Sequence, residues 1–240
     1  MADPFISNVT LLCHCNGTNG GTTFTDNSPQ ARPLTAAGAP LPTTSSTQAK
    51  FGATSCFIGA ASGSYVDVGG ALADFDFGSA PFTMEAWIYL TAINATCPVL
   101  ARITVPGPNT SFWFGVSSGY SRFWYYSGGV QKDYFQTPSI GINAWRHLAV
   151  DSGGNGTTLR VYVDGVVITP TATMLPVDAT TTSARMGNDQ TNSVPFKGYI
   201  DEVRVTKGVQ RYNGAFTPPT APFDDPVVGG TTQVRVSILA

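Results

Sequence analysis

WRHLAVDSGGNGTTLRVYVDGVVI, residues 145–168, is the stretch whose reading decides the fold. From Trp145 to Asp151, Trp145, His147 and Ala149 share one face of an extended chain, and Arg146, Leu148 and Val150 share the other. From Thr158 to Val163, Leu159, Val161 and Val163 alternate with Thr158, Arg160 and Tyr162. The pair Asp164–Gly165 then separates two apolar runs. A type I′ turn needs positive φ at both central residues, and Asp-Gly accepts it, so a tight hairpin is expected here.

The same period of two recurs on both sides of this hairpin, with Gly, Pro, Asn, Asp and Ser between the runs. Upstream runs are Asn8–Cys15, Cys56–Ile58, Tyr65–Val68, Phe82–Leu90, Pro98–Ile103, Ser111–Ser117, Arg122–Tyr126 and Val130–Phe135. Val166–Ile168, Ala184–Met186 and Tyr199–Thr206 follow. Many short strands at this spacing predict an all-β, two-sheet antiparallel β-sandwich of jelly-roll type. Thr22–Lys50, Thr169–Ser183 and Thr217–Gly230 read as loops, the last stiffened by four prolines. We expect one sandwich over residues 1–223 and a tail over 224–240. In the tail Val234, Val236 and Ile238 share one face of a strand that must pair with its own sandwich edge or with a neighbouring chain. It is the expected element of attachment or homo-oligomerisation.

Composition narrows the function. The 240 residues carry 13 Lys+Arg and 15 Asp+Glu, 12% charged, against roughly 25% for an average soluble domain. A 42% hydrophobic content excludes a wholly disordered chain. No apolar run approaches the roughly 18 residues of a membrane span. Balanced charge without a Lys/Arg cluster argues against nucleic acid. The start, MADPFISNVT, has no basic segment followed by an apolar one, so no secretion signal is expected. Without one, the sequons at Asn8, Asn16, Asn94, Asn109 and Asn155 reflect a Thr- and Asn-rich composition. Cys13, Cys15, Cys56 and Cys97 read as reduced, buried thiols, with a disulfide from Cys56 to Cys13 or Cys15 left open.

The order LLCHCNGTNGGTTFTDNSPQ, KFGATSCFIG, SYVDVGG, APFTMEAWIYL, NAWRHLAVD, TLRVYVDGV, ARMGN and GYIDEVRVTKGVQRYNGAFTPPTAPF resembles the laminin-G-like branch of the concanavalin A-like lectin/glucanase superfamily. The similarity runs from about Val9 to Phe223. The last piece resembles versions common in bacteriophage structural proteins. The resemblance implies two stacked antiparallel sheets, with Trp87 and Trp145 as interior tryptophans. It also implies a calcium ion approached by Asp26 and Asn27 from an early loop and by Asp201 near the final strand, the hard-oxygen chemistry that calcium takes.

Two further kinds of chemistry are testable on the residues. The superfamily's glucanases carry Glu-x-Asp-x-x-Glu on one strand, and glycoside hydrolysis needs two carboxylates about 5–9.5 Å apart. This chain has only Glu85 and Glu202, outside that pattern, while Asp74 and Asp76 lie in a turn-like stretch. No catalytic residues are expected, and a hydrolase is the second alternative. Sugar binding needs aromatic faces with a few polar groups beside them. The densest aromatic stretch offers Trp113, Arg122, Trp124, Tyr126 and Tyr134; if the core takes Phe123 and Tyr125, then Trp124 and Tyr126 face outward. The expected protein is a non-enzymatic virion surface component, assembled in the host cytoplasm. Its expected partners are capsid or tail proteins and surface glycans. A free carbohydrate-binding module is the first alternative.

Overall fold

The computed structural model describes residues 3–59, 63–93, 96–103, 111–136 and 139–226. The strands run in chain order as β1 (Val9–Cys13), β2 (Thr23–Thr25), β3 (Pro33–Ala37), β4 (Thr43–Ser45), β5 (Ser55–Ile58), β6 (Tyr65–Val68), β7 (Phe82–Leu90) and β8 (Cys97–Arg102). They continue as β9 (Phe112–Ser117), β10 (Tyr120–Ser127), β11 (Val130–Gln136), β12 (Trp145–Ser152), β13 (Thr158–Val163), β14 (Val166–Thr173), β15 (Ala184–Met186) and β16 (Gly198–Lys207). Sheet A has the order β14-β13-β12-β7-β16-β5-β4, with β1 also paired to β16; sheet B has the order β11-β10-β9-β8-β15-β6-β3-β2. The pairs between these strands are antiparallel. The architecture is therefore the expected two-sheet sandwich.

Alternation accounts for the core. Phe82, Met84, Ala86, Ile88 and Leu90 of β7, Leu148 and Val150 of β12, and Leu159 and Val161 of β13 point between the sheets. There they meet Val99 and Leu100 of β8, Phe112 and Phe114 of β9, and Phe123 and Tyr125 of β10. Asp164 and Gly165 have φ of 51° and 74°, as a type I′ hairpin requires. β16 carries a bulge between Asp201 and Arg204, where Glu202 takes φ 51°. The extra residue turns both Ile200 and Val203 inward while Asp201 and Arg204 face out.

The structure corrects three sequence expectations here. Thr22–Lys50 is not a loop: it holds β2, β3 and β4, short Thr-, Pro- and Ala-containing strands without apolar alternation, defined by backbone pairing onto β6 and β5. The Thr169–Ser183 loop begins later than expected, because β14 runs to Thr173. β14 is the edge of sheet A, and position 170 falls between Ile168 and Ala172, where its register with β13 shifts, a place in a sheet that tolerates proline. Trp87 and Trp145 are not in the inter-sheet core. With Ala86 and Ile88 pointing inward, Trp87 must face out, where it is buried beneath Phe51 and Lys50. Trp145, its neighbour's cross-strand partner, is half-buried on that same outer face.

The chain after β16 packs back on the outer face of sheet A. Tyr212 and Phe216 stack in parallel with centroids 3.5 Å apart, and Phe223 closes a small cluster with Val9 and Leu12. The attachment for this segment extends past Phe223, since Asp225 bonds His14 at 3.0 Å. Val234, Val236 and Ile238 lie outside the described residues.

Candidate functional site

On β10, Phe123 and Tyr125 are fully buried, while Arg122, Trp124 and Tyr126 are half-buried on the outer face of sheet B. The core has taken the pair that leaves Trp124 and Tyr126 outward. Burial pushes the Tyr125 phenol up to about 12, and its oxygen accepts the Leu175 N–H at 3.1 Å. Trp113 is only 1% exposed, packed with Ala101 and Ile103. Its ring lies parallel to that of Trp124, 4° apart in plane with centroids at 6.3 Å. As the direct cross-strand partner on β9 it braces Trp124 from the side, and it is itself buried. Tyr126 sits edge-on to Trp124 at 6.1 Å.

Tyr134 is elsewhere. It pairs with Phe123 across the β10–β11 hairpin, so it shares the inward face and stacks on Tyr125 at 6.0 Å. The outward position on β11 belongs to Asp133, directly opposite Trp124. Arg122 Nε donates to Asp133 Oδ1 at 2.9 Å, a second guanidinium N–H donates to Asp133 Oδ2, and a third reaches Ser117 Oγ at 3.2 Å. A cleft of about 250 Å³ lined by Ser117, Ser118, Tyr120 and Arg122 adjoins this pair. Braced ring faces thus lie beside a planar ion pair and hydroxyls, the combination that orients a sugar ring. Sequence reasoning missed Asp133, although counting outward from Gly128–Gly129 would have found it. That two-residue turn, with φ of 58° and 74°, fixes the register.

The residues implied for calcium have other partners. Asp26 accepts the N–H groups of Leu12, Ser28 and Arg32 and the Ser28 hydroxyl, all at 2.9 Å. A carboxylate offers about four lone-pair sites, so this set saturates it. Asp201 accepts the N–H groups of Lys50, Phe51 and Glu202, and burial pushes its carboxyl up to about 7 against those donors. Only Asn27 opens to a cleft, shared with His14 and Asp225. These residues do not fit a calcium ion, because binding would first have to break backbone hydrogen bonds. Among the described residues, no group of three His, Cys, Asp or Glu side chains forms a metal cluster.

The acids are structural partners. Glu85 is 1% exposed and lies on the outer face of β7. It accepts Arg204 Nε and Nη2 at 2.9 and 2.7 Å and the Tyr212 hydroxyl, and His147 Nε2 stands 3.2 Å away. Burial opposes its charge, but Arg204 and His147 hold it well below the usual carboxylate range. Glu202, also 1% exposed, receives His14 Nδ1 at 2.9 Å and the Phe223 N–H at 2.9 Å. Although burial opposes charge on His14, its bonds to Glu202 and Asp225 push it up to about 9. Asp74 and Asp76 pair with Arg32 and Arg102. Cys13, Cys15, Cys56 and Cys97 are buried and form no disulfide with one another, with Cys13 Sγ and Cys15 Sγ 3.6 Å apart.

Comparison with known proteins places the chain. The family Laminin_G_3, of the concanavalin A-like lectin/glucanases superfamily, matches residues 42–211. No curated protein matches the sequence. Among solved structures, the binding domain of Paraclostridial Mosquitocidal Protein 1 is similar, with a TM-score of 0.64 and 13% identity over 89% of this chain and 50% of that one. Botulinum neurotoxin type C, which depends on interaction with two ganglioside molecules to enter cells, gives 0.63 and 12% over 85% and 49%. Domain 4 of AbnA, an extracellular arabinanase from Geobacillus stearothermophilus, solved with arabinotriose, gives 0.58 and 15% over 85% and 94%. The chain therefore spans about half the length of the two toxin structures and nearly all of the arabinanase domain. At these identities the likeness is one of fold.

Proposed function

The chain belongs to the concanavalin A-like lectin/glucanase superfamily, and from that premise we propose that it is a non-enzymatic glycan-binding module displayed on a virion surface. The observation that carries glycan binding is the half-buried pair Trp124 and Tyr126, braced by Trp113 and flanked by the Arg122–Asp133 ion pair. An arabinotriose complex on the same fold supports the reading. Catalysis is disfavoured because both glutamates are buried and bonded to Arg204 or His14, leaving neither able to flank a glycosidic bond. The virion setting rests on the GVQRYNGAFTPPTAPF ending. There the tail with Val234, Val236 and Ile238 would join the module to capsid or tail proteins or to its own copies.

A glycan array read with the parent protein and with Trp124→Ala tests the site. Binding by the parent and loss in the variant is expected, with thermal midpoints within a few degrees. Equal binding by both refutes the assignment, and release of reducing ends from any bound polysaccharide refutes the non-enzymatic reading. Truncation after Pro226, which preserves the Asp225–His14 bond, should leave a folded module that no longer assembles into particles. Normal incorporation would end the role given to the tail.

A further inference from the structure

A second aromatic surface lies on the opposite side of the molecule, on the outer face of sheet A. Tyr199 of β16 is the direct cross-strand partner of both Phe57 on β5 and Tyr89 on β7. Tyr89 is in turn the direct partner of Trp145 on β12. Four neighbouring strands therefore contribute one ring each to a single row that crosses the strands. Successive centroids are 5.0, 5.9 and 5.7 Å apart, and each step is about the length of one pyranose ring.

Exposure and charge say what this row accommodates. Phe57, Tyr89 and Trp145 are half-buried, and Tyr199 forms the floor between them at 8% exposed. The rings hold one another through tilted and edge-to-face contacts, so they present fixed surfaces with little ordering left to do on binding. Among the described residues, neither tyrosine hydroxyl is bonded to another protein group, so both remain open to a ligand's hydroxyls. On one flank the next outward residue, Trp87, is roofed by Phe51 at 6.0 Å and by Lys50 Nζ at 3.8 Å. The row is thus a shelf beside a ridge. The row contains no carboxylate, ammonium or guanidinium; of the cations beside it, Arg146 is paired with Asp164 at 2.7 Å and Lys50 is held over the Trp87 and Phe51 rings. The row itself carries no charge to pair with a charged polymer, whereas a neutral sugar chain finds apolar aromatic surface interrupted by two phenol hydroxyls.

We infer that Phe57, Tyr199, Tyr89 and Trp145 form a second carbohydrate site, which takes an unbranched, neutral oligosaccharide of three to four sugars laid across the strands of sheet A. The inference rests on the glycan-binding reading above but uses the opposite face, so one molecule would bind a polysaccharide at two places.

Affinity electrophoresis of the full chain through gels containing xylan, glucomannan, mixed-linkage β-glucan or dextran tests it. The variants are Trp145→Ala, Tyr89→Ser and Trp124→Ala, each checked for a native thermal transition, with Trp145→Tyr as the conservative control. At least one gel should retard the parent. Trp145→Ala and Tyr89→Ser should weaken apparent affinity about tenfold or more, and Trp145→Tyr should restore most of it. A residual effect of Trp124→Ala on the same gels is compatible, since it reports the other face. If only Trp124→Ala loses retardation, the sheet A site is overturned and the sheet B reading stands. If no polysaccharide retards the parent, or no variant changes the retardation, the sheet A site is overturned as well. A glycan array negative for the parent then removes the sheet B reading separately.

Discussion

Replacing Glu85 with Gln should destabilise the sandwich severely, and the reason is electrostatic. Beneath the returning C-terminal segment, Glu85 accepts from both Arg204 and Tyr212 and stands 3.2 Å from His147 Nε2. Gln keeps the volume but removes the charge, and one of its two positions now presents an N–H where an acceptor is needed. Arg204, only 7% exposed, is left with Asp3 at 3.1 Å as its remaining carboxylate. Removing one partner of a buried pair costs about 3–5 kcal/mol, a large share of the roughly 5–15 kcal/mol that holds a domain folded. For a chain of this length that predicts a fall in Tm of roughly 6–20 °C. Because the folded carboxyl is held well below its ordinary range, its contribution is complete above the unfolded pKa, near 4.3, and is lost as pH falls through the folded value. Urea unfolding of the parent and Glu85→Gln at several pH values reads this directly. The stability gap should be widest at neutral pH and narrow below about pH 4. In a double-mutant cycle, Glu85→Gln with Arg204→Met should cost less than the two single changes together. A loss under about 1 kcal/mol at pH 7, or a gap that stays constant down to pH 2, would refute the reasoning.

His14→Gln should destabilise the protein by on the order of 3 kcal/mol at pH 6, because the imidazolium moves from 6.5 to about 9 on folding. A raised histidine contributes fully below its unfolded pKa and loses that contribution as pH rises through about 9, so the difference in unfolding free energy should vanish above pH 10. Equal gaps at both pH values would reject it. Gly165→Ala should cost more than about 2 kcal/mol in chemical unfolding, since its φ is 74° and a Cβ would fall 1.9 Å from the Phe216 carbonyl oxygen; a neutral result would mean the turn relaxes freely. Saturating calcium should leave the thermal midpoint unchanged, because Asp26 and Asp201 already hold backbone donors. A rise that chelator reverses would restore calcium to this loop.

The β10–β11 hairpin shows where sequence reasoning succeeded and where it stopped. Alternation alone put Trp124 and Tyr126 on one face and Phe123 and Tyr125 on the other, since side chains on a strand have a period of two. It could not say which face met the core. Tyr134 was misplaced because pairing register, and not its nearness in sequence to Trp124, decides which residues share a face. Trp145 failed for a related reason. Its strand has two apolar faces, one against sheet B and one under the returning chain, so hydrophobicity could not distinguish inside from outside.

The sequence by itself determined that this chain is a two-sheet antiparallel sandwich. Alternation and turn chemistry are local properties, and the residues that express them lie next to one another in the chain. Only the tertiary structure decided which aromatics meet solvent, that both glutamates are used up in buried pairs, and that Phe57, Tyr199, Tyr89 and Trp145 form one row. Those four rings come from strands spread over nearly 150 residues of chain. Their adjacency is a matter of cross-strand register, which the packing of the whole core sets and no local pattern encodes.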